Sequence, residues 1–375
     1  TNGCGDVCVV LARSESGSRG LDGLSLFVVP RVMEGKDNYR VARPEKKFVI
    51  RGSATCELAF DGSRAELLGP PGAGFKQILT FMNEARLVVG VQGLGLAEAA
   101  FQAARAYAGR RVQMGRPIAR HELLADLLFD MEVEVAALRA LIYRTSALYD
   151  RVLGLERPKA EARPAELAAL RHQVRELTPV VKWFGSERTL WVTRAAVQVH
   201  GGYGVMAEYD VERHYRNALV LPIYEGTSQI QALMSLKDQM KWALSKPWRL
   251  LGGPVRVQAT PDRMGDALRE MASEYNRAFR YVANDAVGLS GVIRGLLGRG
   301  APSAEDLGYA MLSAERLLAM LAYTRAAEAL SAQAGLDVNR RRLAERFIHR
   351  SLPLLRMHGE IVRSGDRSTL QAMAQ

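Results

Sequence analysis

The sequence has few cysteines and no long apolar run. Its three cysteines, Cys4, Cys8 and Cys56, are too few and too irregularly spaced for a disulfide framework or a set of metal ligands. We therefore expect no bound metal and a reducing compartment, the cytoplasm. No uninterrupted apolar stretch approaches the ~18–20 residues of a membrane span. The opening Thr-Asn-Gly also lacks the basic and apolar pattern of a signal peptide and looks like a cut end.

The charge of the chain is unbalanced toward positive. A total of 51 Lys and Arg against 40 Asp and Glu gives a net charge of +11 and a pI near 9.7. A basic surface attracts nucleic acid, acidic lipid or the phosphates of a large cofactor. Because the Arg residues are mostly scattered through helical patterns, we rank nucleic acid and a membrane surface behind an ordinary solvated surface. One alternative stays open, since Arg342, Arg346 and Arg350 would form a positive stripe on one helix face.

Short β-branched runs occupy the first 70 residues, and clusters of Gly, Ser and Asp separate them. This punctuation is typical of strands. Four strands are predicted, over residues 6–12, 24–30, 47–51 and 55–60. Four short strands form a small antiparallel sheet or part of a barrel, so we predict a partial β-domain for residues 1–70.

From Gly74 onward the apolar pattern becomes helical. Apolar residues recur at three, four or seven positions, as in a helix that packs on one face: Leu124, Leu128, Met131, Val135, Leu138, Ile142 and Tyr149. Other helical regions are predicted over residues 86–108, 167–200 and 225–244, with a loop at 151–165. Four antiparallel helices form a bundle, which we assign to residues 71–245.

Two further features shape the helical part. Gly90, Gly93 and Gly95, among several Ala residues, predict a close helix–helix approach, and Pro179 predicts a helix start or kink. Beyond residue 246, Pro302 and Gly335 divide residues 261–375 into three or four helices. The predicted fold class is thus α+β, mainly α: a partial small antiparallel β-domain, a four-helix bundle and an additional C-terminal helical domain over residues 246–375.

Two stretches hold the clearest functional signal: Gln-Val-His-Gly-Gly-Tyr-Gly at 198–204 and Ile-Tyr-Glu-Gly-Thr-Ser-Gln-Ile-Gln at 223–231. Gly201 and Gly202 suit a backbone pressed against a dinucleotide, although Gly just past a helix end is also the commonest stop signal. A helix precedes them, so they are not a Rossmann fingerprint. Glu225 suits a general base that is partly withdrawn from water. A lone Glu in the first turn of a helix otherwise complements the helix dipole.

Together these stretches resemble the C-terminal signature of the acyl-CoA dehydrogenases, flavoenzymes that remove two hydrogens from a CoA thioester. Residues 106–118 resemble the family's Tyr-Ala-x-x-Arg-x-x-Phe-Gly-x-Pro-Ile segment, and residues 83–86 resemble its Asp-x-x-Arg element. Thr1-Asn2-Gly3 is similar to the end of its Trp-x-Thr-Asn-Gly strand. Residues 261–375 resemble the extra helical domain of the long bacterial members.

The resemblance implies an FAD-dependent enzyme that converts an acyl-CoA to the trans-2-enoyl-CoA, as in fatty acid β-oxidation. Glu225 would be the catalytic base that takes the α-proton while a β-hydride passes to the flavin, and Ala85 leaves it no rival at the other position where some members carry the base. Asn83, Arg86 and Gly226 would bind the substrate. The positions that would bind FAD are Thr1, Arg111, Val112, Gln113, His121, Glu122, Gln198, Val199, His200, Gly201, Gly202, Thr227, Ser228 and Gln229.

The resemblance also implies partners. In the family, the segments that match Arg111 and Gln198 reach the FAD of a neighbouring subunit, so a homodimer or a dimer of dimers is expected. An electron-transfer flavoprotein is the expected electron acceptor.

Several positions depart from the family pattern. Met114 replaces a Phe, Glu122 replaces a Gln, and Asn217 replaces the Asp that follows the family's Arg. A carboxylate at Glu122 would oppose the flavin or its pyrophosphate unless it is paired. The family's N-terminal helical domain and its Thr-Glu-Pro-x-x-Gly-Ser flavin loop have no counterpart here, so we expect this chain alone to be incomplete. Two alternatives remain: a degenerate or partner-dependent member, and a DNA-binding flavoprotein of the alkylation-response type.

Overall fold

The computed structural model describes residues 3–157, 163–245, 253–296 and 307–373. The fold is mainly helical with small antiparallel sheets, which confirms the predicted fold class. The chain divides into two compact units, Thr1–Ala85 and Arg86–Gln375. Each unit is described by itself.

The first unit contains short strands arranged in small sheets. They are β1 (Val7–Arg13), β2 (Leu24–Pro30), β3 (Val32–Met33), β4 (Lys36–Asp37), β5 (Arg40–Pro44), β6 (Cys56–Ala59) and β7 (Glu66–Leu68). Strands β1, β2 and β7 form one antiparallel sheet, while β3 pairs with β4 and β5 with β6. A small core of Cys8, Val29 and Tyr39 lies in this unit. The strands predicted over 6–12, 24–30 and 55–60 are confirmed.

The strand predicted over residues 47–51 is wrong, because this segment turns. Ile50 has φ +43°, a left-handed conformation that an extended strand cannot contain. The Lys47 ammonium closes the turn by donating to the Ser53 carbonyl at 2.9 Å and to the Thr55 hydroxyl at 2.7 Å. The β-branched residues of this segment therefore lie in a loop and not in a strand.

The bundle begins with a helix that starts in the first unit and ends in the second. The elements in this region are α1 (Gly74–Arg110), β8 (Val112–Gln113), β9 (Arg116–Pro117), α2 (Glu122–Leu155), α3 (Pro164–His200), α4 (Asp210–Ala218) and α5 (Ser228–Ser245). The four predicted helices are confirmed as α1, α2, α3 and α5. The loop predicted from 151 is too long at its start: α2 continues to Leu155, since Gly154 alone does not end it. Pro179 lies inside α3, which begins with Pro164.

Helices α1 and α3 approach closely through glycine. A Cβ on Gly93 would come within 2.6 Å of the Gly185 carbonyl oxygen, and one on Gly90 within 2.5 Å of Val181 Cγ1. Side chains at these positions would force the helices apart. The predicted approach is confirmed for Gly90 and Gly93. It is wrong for Gly95, which is exposed and has open space where its Cβ would be.

The C-terminal segment adds helices that share the core of the bundle. They are α6 (Arg263–Leu296), α7 (Gly308–Ser331), α8 (Val338–Arg363) and α9 (Ser368–Met373). Gly335 lies between α7 and α8 as predicted, whereas Pro302 falls outside the described residues. Helix α7 packs against α2, α3 and α5, and one hydrophobic cluster contains residues from all of them. A domain boundary near residue 245 stays a prediction.

Helix α1 is apolar enough to pass a test for membrane spans by length and composition. An 18-residue window has a mean hydropathy of 1.3, and 44% of that window is buried inside the protein. The apolar residues also have a use in packing, because Leu94, Ala97 and Phe101 lie in the main hydrophobic cluster. The core helix of a soluble bundle gives the same signal, so this is weak evidence for a membrane span.

Candidate active site

Glu225 lies in a strained turn between α4 and α5. Its φ is +55° and that of Gly226 is +89°. A left-handed conformation costs a residue with a Cβ about 1–2 kcal/mol. Such strain persists only where the surroundings impose it. Gly226 suits its φ because it has no Cβ, and an added Cβ would lie 2.7 Å from the Gln231 side-chain nitrogen.

The backbone of this turn is held by side chains from two helices. The Glu225 carbonyl accepts hydrogen bonds from Arg86 Nε on α1 at 3.4 Å and from Gln231 Nε2 on α5 at 3.3 Å. Gln231 also donates to the Gly226 carbonyl at 3.1 Å. Arg86 and Gln231 are both buried. Two helices therefore fix the direction in which the Glu225 side chain leaves the backbone.

A second pair of donors holds the start of the turn. The Leu221 carbonyl accepts from Lys182 Nζ at 2.6 Å and from Ser186 Oγ at 2.9 Å, both on α3. Lys182 is 0% exposed. Its burial lowers the pKa to about 8, and among the nearby charges Glu187 and Glu225 act to raise it while Arg86 acts to lower it.

Sequence reasoning missed Lys182, Ser186 and Gln231. The available signal was a single charge inside an apolar run, Val180-Val181-Lys182-Trp183-Phe184, because a lysine on a buried helix face needs a partner.

Tyr224 and Arg86 complete the surroundings of Glu225. The Tyr224 hydroxyl donates to the side-chain oxygen of Gln92. Burial, with the Glu225 charge as a second cause, raises the pKa of Tyr224 to about 12, so this hydroxyl stays protonated at neutral pH. Burial lowers the pKa of Arg86, and the Glu225 carboxylate opposes that effect. The half-buried carboxylate thus has a neutral phenol and two buried cations as neighbours.

The other residues expected near the base are placed differently from one another. Asn83 is exposed on the part of α1 that belongs to the first unit. Thr227 caps α5, accepting from the Ile230 amide at 3.3 Å. Ser228 is buried and donates to Glu187 at 2.5 Å, whereas Gln229 is exposed and contacts Glu315. Thr1 lies outside the described residues.

A β-hairpin lies at the opposite end of the bundle. Strands β8 and β9 are joined by Met114 (φ +47°) and Gly115 (φ +77°), and two positive φ values are the mark of a type I′ turn. Arg111, Val112 and Gln113 are exposed along it, and Met114 is 92% exposed at its tip.

The carboxylate of Glu122 has a partner within this hairpin. Arg116 Nη2 on β9 lies 3.2 Å from Glu122 Oε2. Hydrogen bonding to the backbone and to Arg116 lowers the pKa of Glu122. His121 adds to the same cluster, with Nε2 at 3.1 Å from the Gln113 carbonyl oxygen. The unfavourable charge expected at Glu122 is therefore balanced inside the chain.

The glycine pair lies at the same end of the bundle, where α3 stops. Gly201 is the C-cap of α3 with φ +60°, so the helix-stop interpretation is confirmed. Cβ atoms added to Gly201 and Gly202 would meet nothing within 4 Å. The exposed backbone therefore has room for a ligand, which is the fit that a dinucleotide needs.

The residues just before the glycines are divided between surface and core. Gln198 is exposed, whereas Val199 and His200 are buried. The His200 ring stacks on Tyr107 with centroids 4.3 Å apart. These two side chains face the core, so a ligand at this end would meet their backbone only.

The structure separates the predicted site residues into two groups. The base group contains Arg86, Glu225 and the start of α5. The hairpin group contains the β8–β9 hairpin, His121, Glu122 and residues 198–202. At 1.5 Å per residue, Arg86 and Tyr107 on α1 are roughly 30 Å apart, and Lys182 and Gly201 on α3 roughly 28 Å. One small ligand cannot contact both groups of the same chain.

The positive stripe of α8 packs on an acidic face of α2. Arg346 bridges Asp126 at 2.5 Å and Asp130 at 2.9 Å. Arg350 bridges Asp130 at 3.1 Å, and Arg342 lies over the Phe129 ring at 4.7 Å. The side chains that motivated a nucleic-acid surface are therefore used within the fold, which disfavours the DNA-binding alternative.

Arg216 has an acidic partner within α4, although Asn217 replaces the Asp that follows this Arg in the family pattern. Arg216 makes a two-point ion pair with Glu212, with Nη2 at 2.8 Å and Nε at 3.0 Å from its carboxylate oxygens. Since Glu212 is one turn earlier on the same helix, Arg216 keeps an acidic partner.

Comparisons of this sequence with known proteins agree on one family. Residues 72–239 match the family described as acyl-CoA dehydrogenase, C-terminal domain. An acryloyl-CoA reductase (NADH) of Anaerotignum propionicum is 34% identical over 238 residues, 63% of this chain and 55% of that protein. An acyl-CoA dehydrogenase of Bacillus subtilis is 35% identical over 238 residues, 63% of this chain and 57% of that protein. The chain thus spans about half the length of the curated relatives it matches.

Solved structures extend the likeness to nearly the whole chain. An acyl-CoA dehydrogenase from Bacillus anthracis, complexed with FAD, has a TM-score of 0.78 at 22% identity and covers 98% of this chain and 63% of its own. At that identity the match shows the fold alone. The electron transferring flavoprotein of Acidaminococcus fermentans gives a TM-score of 0.52 at 33% identity, over 61% of this chain and 55% of the other.

Proposed function

Because this chain belongs to the acyl-CoA dehydrogenase family, we propose that the protein containing it dehydrogenates an acyl-CoA thioester between Cα and Cβ, with FAD as cofactor. The observation that carries the proposal is the Glu225 turn: a half-buried carboxylate on a strained backbone, held by donors from α1, α3 and α5. Strained residues cluster at functional sites, so the strain at Glu225 supports a functional role for its side chain.

Glu225 would act as the general base. An α-proton next to a thioester becomes removable when the negative charge that develops on the thioester oxygen is stabilised, and a fixed backbone N–H is suited to that task. We assign the proton to the Glu225 carboxylate and the stabilisation to the Glu225 amide. The strained turn sets both groups at once, because both belong to one residue.

The hairpin group would hold the cofactor. Bound FAD would supply the acceptor for the β-hydride. Gly201 and Gly202 offer open backbone, and the Arg116–Glu122 pair cancels the charge that would oppose a pyrophosphate. Residues 111–113 and Gln198 are exposed beside them.

The separation of the two groups supports an oligomer. Since roughly 30 Å of helix lies between them, the hairpin group would serve the FAD of a second copy while the base group serves its own subunit's substrate. We propose a homodimer or a dimer of dimers on this ground. The likeness to an electron transferring flavoprotein supports an acceptor of that kind, and we place the enzyme in the cytoplasm.

The test uses the full gene product that contains this chain. We expect it to bind FAD and to lose flavin absorbance when mixed anaerobically with a saturating acyl-CoA from a panel of chain lengths. Glu225→Gln should keep the FAD and slow the bleaching by about 10²- to 10⁴-fold, the usual worth of a general base. As a control, Glu208→Gln removes an exposed carboxylate from a different part of the chain and should bleach normally. Bleaching at the normal rate by Glu225→Gln would refute the assignment.

The test also distinguishes an active dehydrogenase from a degenerate or partner-dependent member. Such a protein would bind FAD or CoA poorly when purified alone and would act through association. Flavin bound in stoichiometric amount, with no bleaching by any member of the panel, would contradict dehydrogenation while leaving the cofactor assignment intact.

A further inference from the structure

The turn that carries Glu225 starts at a carbonyl group held by α3. Leu221 is 0% exposed, and the turn continues through hydrogen bonds from the Ile223 amide to the Val220 carbonyl at 2.9 Å and from the Ser228 amide to the Pro222 carbonyl at 2.9 Å. Glu225 follows Leu221 by four residues. Any movement of the Leu221 carbonyl is therefore passed along a short, tightly hydrogen-bonded segment to the base.

We propose that Lys182 and Ser186 are positioning residues for the base: they hold the Leu221 carbonyl on α3 and so fix the turn that aims the Glu225 carboxylate. This inference rests on the proposed function, because the direction of the carboxylate matters to the reaction only if Glu225 is the base. The hydrogen bonds that hold the turn are independent of it.

The two donors have unequal strength. The Ser186 hydroxyl has one hydrogen, which it shares between the Lys182 carbonyl at 2.8 Å and the Leu221 carbonyl at 2.9 Å. Lys182 donates at 2.6 Å with a charged group, and charge-assisted hydrogen bonds are about twice as strong as neutral ones. Lys182 is the main anchor and Ser186 the second.

The cost of burying Lys182 argues for a specific use. An ammonium withdrawn from water is unfavourable unless it is paired, and a Met of similar length would fill the same space without that cost. The carbonyl of Leu221 and the charges of Glu187 and Glu225 act on Lys182 in its buried position. A strong donor directed at the base turn is the function that explains why the charge is there.

The first experiment measures the turn directly. Amide hydrogen exchange, followed by mass spectrometry on peptides covering 219–227, reports opening of this segment. In Lys182→Met and Ser186→Ala we expect exchange to be faster by about 10-fold or more, since a buried hydrogen bond is lost. Thr193→Val is the matched control: its buried hydroxyl on the same helix donates within α3, to the Thr189 carbonyl at 2.8 Å.

The outcomes of this experiment are decisive in both directions. Unchanged exchange over 219–227 in both variants would overturn the proposal. Equal acceleration in Thr193→Val would also overturn it, because the effect would then be general loosening of α3. Ser186→Ala is small enough to keep the fold if Lys182→Met does not, so a result is obtained in either case.

The second experiment links the anchor to the chemistry. In the full gene product, we expect flavin bleaching at saturating acyl-CoA to slow by about 10²-fold in Lys182→Met, the loss expected for a misplaced catalytic group, with FAD content and KM little changed. Ser186→Ala should lose less, and Thr193→Val nothing. Faster exchange with normal bleaching would show that the anchor does not aim the base. If Glu225→Gln also bleaches normally, the failure lies with the proposed function, and the exchange result still stands.

Discussion

The approach of α1 to α3 gives a prediction with an internal control. Gly93 and Gly95 lie two residues apart on α1. A Cβ on Gly93 would come within 2.6 Å of the Gly185 carbonyl oxygen and 2.9 Å of Thr189 Oγ1, whereas one on Gly95 would meet nothing within 4 Å. The same substitution, Gly to Ala, should therefore have opposite effects at the two positions.

The magnitudes follow from two separate terms. Replacing a helical Gly by Ala stabilises by about 0.5–1 kcal/mol through backbone entropy, and Gly95→Ala should show this gain alone. Gly93→Ala adds an overpacking cost of about 1–3 kcal/mol, because the Gly185 carbonyl oxygen belongs to backbone that cannot rotate away. We expect Gly93→Ala to be less stable than Gly95→Ala by that overpacking cost.

Urea denaturation followed by helical circular dichroism measures the difference. The two variants should have similar slopes, so that the shift in midpoint reports stability. Because α1 carries Arg86 and α3 carries Lys182, Gly93→Ala should also speed hydrogen exchange in the Glu225 turn. Equal midpoints for the two variants would refute the close packing of α1 on α3.

Three further predictions concern charge. Arg342→Ala with Arg346→Ala should lower the unfolding midpoint, and the unsubstituted protein should show no salt-sensitive retention on DNA, as a filter-binding titration at low salt would reveal. The pKa of Lys182 is about 8 in the folded protein, against an ordinary value of 10.5. Between these pH values the unfolded chain binds more protons, so the stability of the wild type relative to Lys182→Met should rise from pH 8 to 10.5. A stability difference that stays constant with pH in urea titrations would count against this prediction. Arg116→Ala should weaken FAD binding several-fold by leaving Glu122 unpaired, and adding Glu122→Gln should restore it, which a flavin fluorescence titration would detect.

The helices were predictable because their apolar spacing is regular. The apolar stripe from Leu124 to Tyr149 predicts α2 directly. Gly90 and Gly93 predict a close helix contact, which the structure shows to be with α3. The segment 47–51 misled because β-branched residues favour extended structure, yet a lysine that reaches Ser53 and Thr55 imposes a turn. Contacts that a side chain makes farther along the chain can outweigh the local strand propensity of a segment.

The site was predictable in its residues and not in its arrangement. The pattern around Glu225 identifies a candidate base, but its positive φ depends on donors from helices distant in sequence, Lys182 among them. Likewise, the arginines of α8 form a stripe in sequence, and only the fold shows α2 carboxylates beneath it. Contacts of this kind have no local pattern to reveal them.

Glu225 is proposed to remove the α-proton of an acyl-CoA, and one measurement isolates that step. An acyl-CoA analogue with sulfur in place of the β-carbon cannot give up a hydride, so any reaction stops after proton removal. In D2O the full gene product should exchange the α-protons of this analogue for deuterium, as mass spectrometry would show, and Glu225→Gln should slow the exchange by about 10²- to 10⁴-fold. Exchange at the same rate in Glu225→Gln would show that another group removes the α-proton.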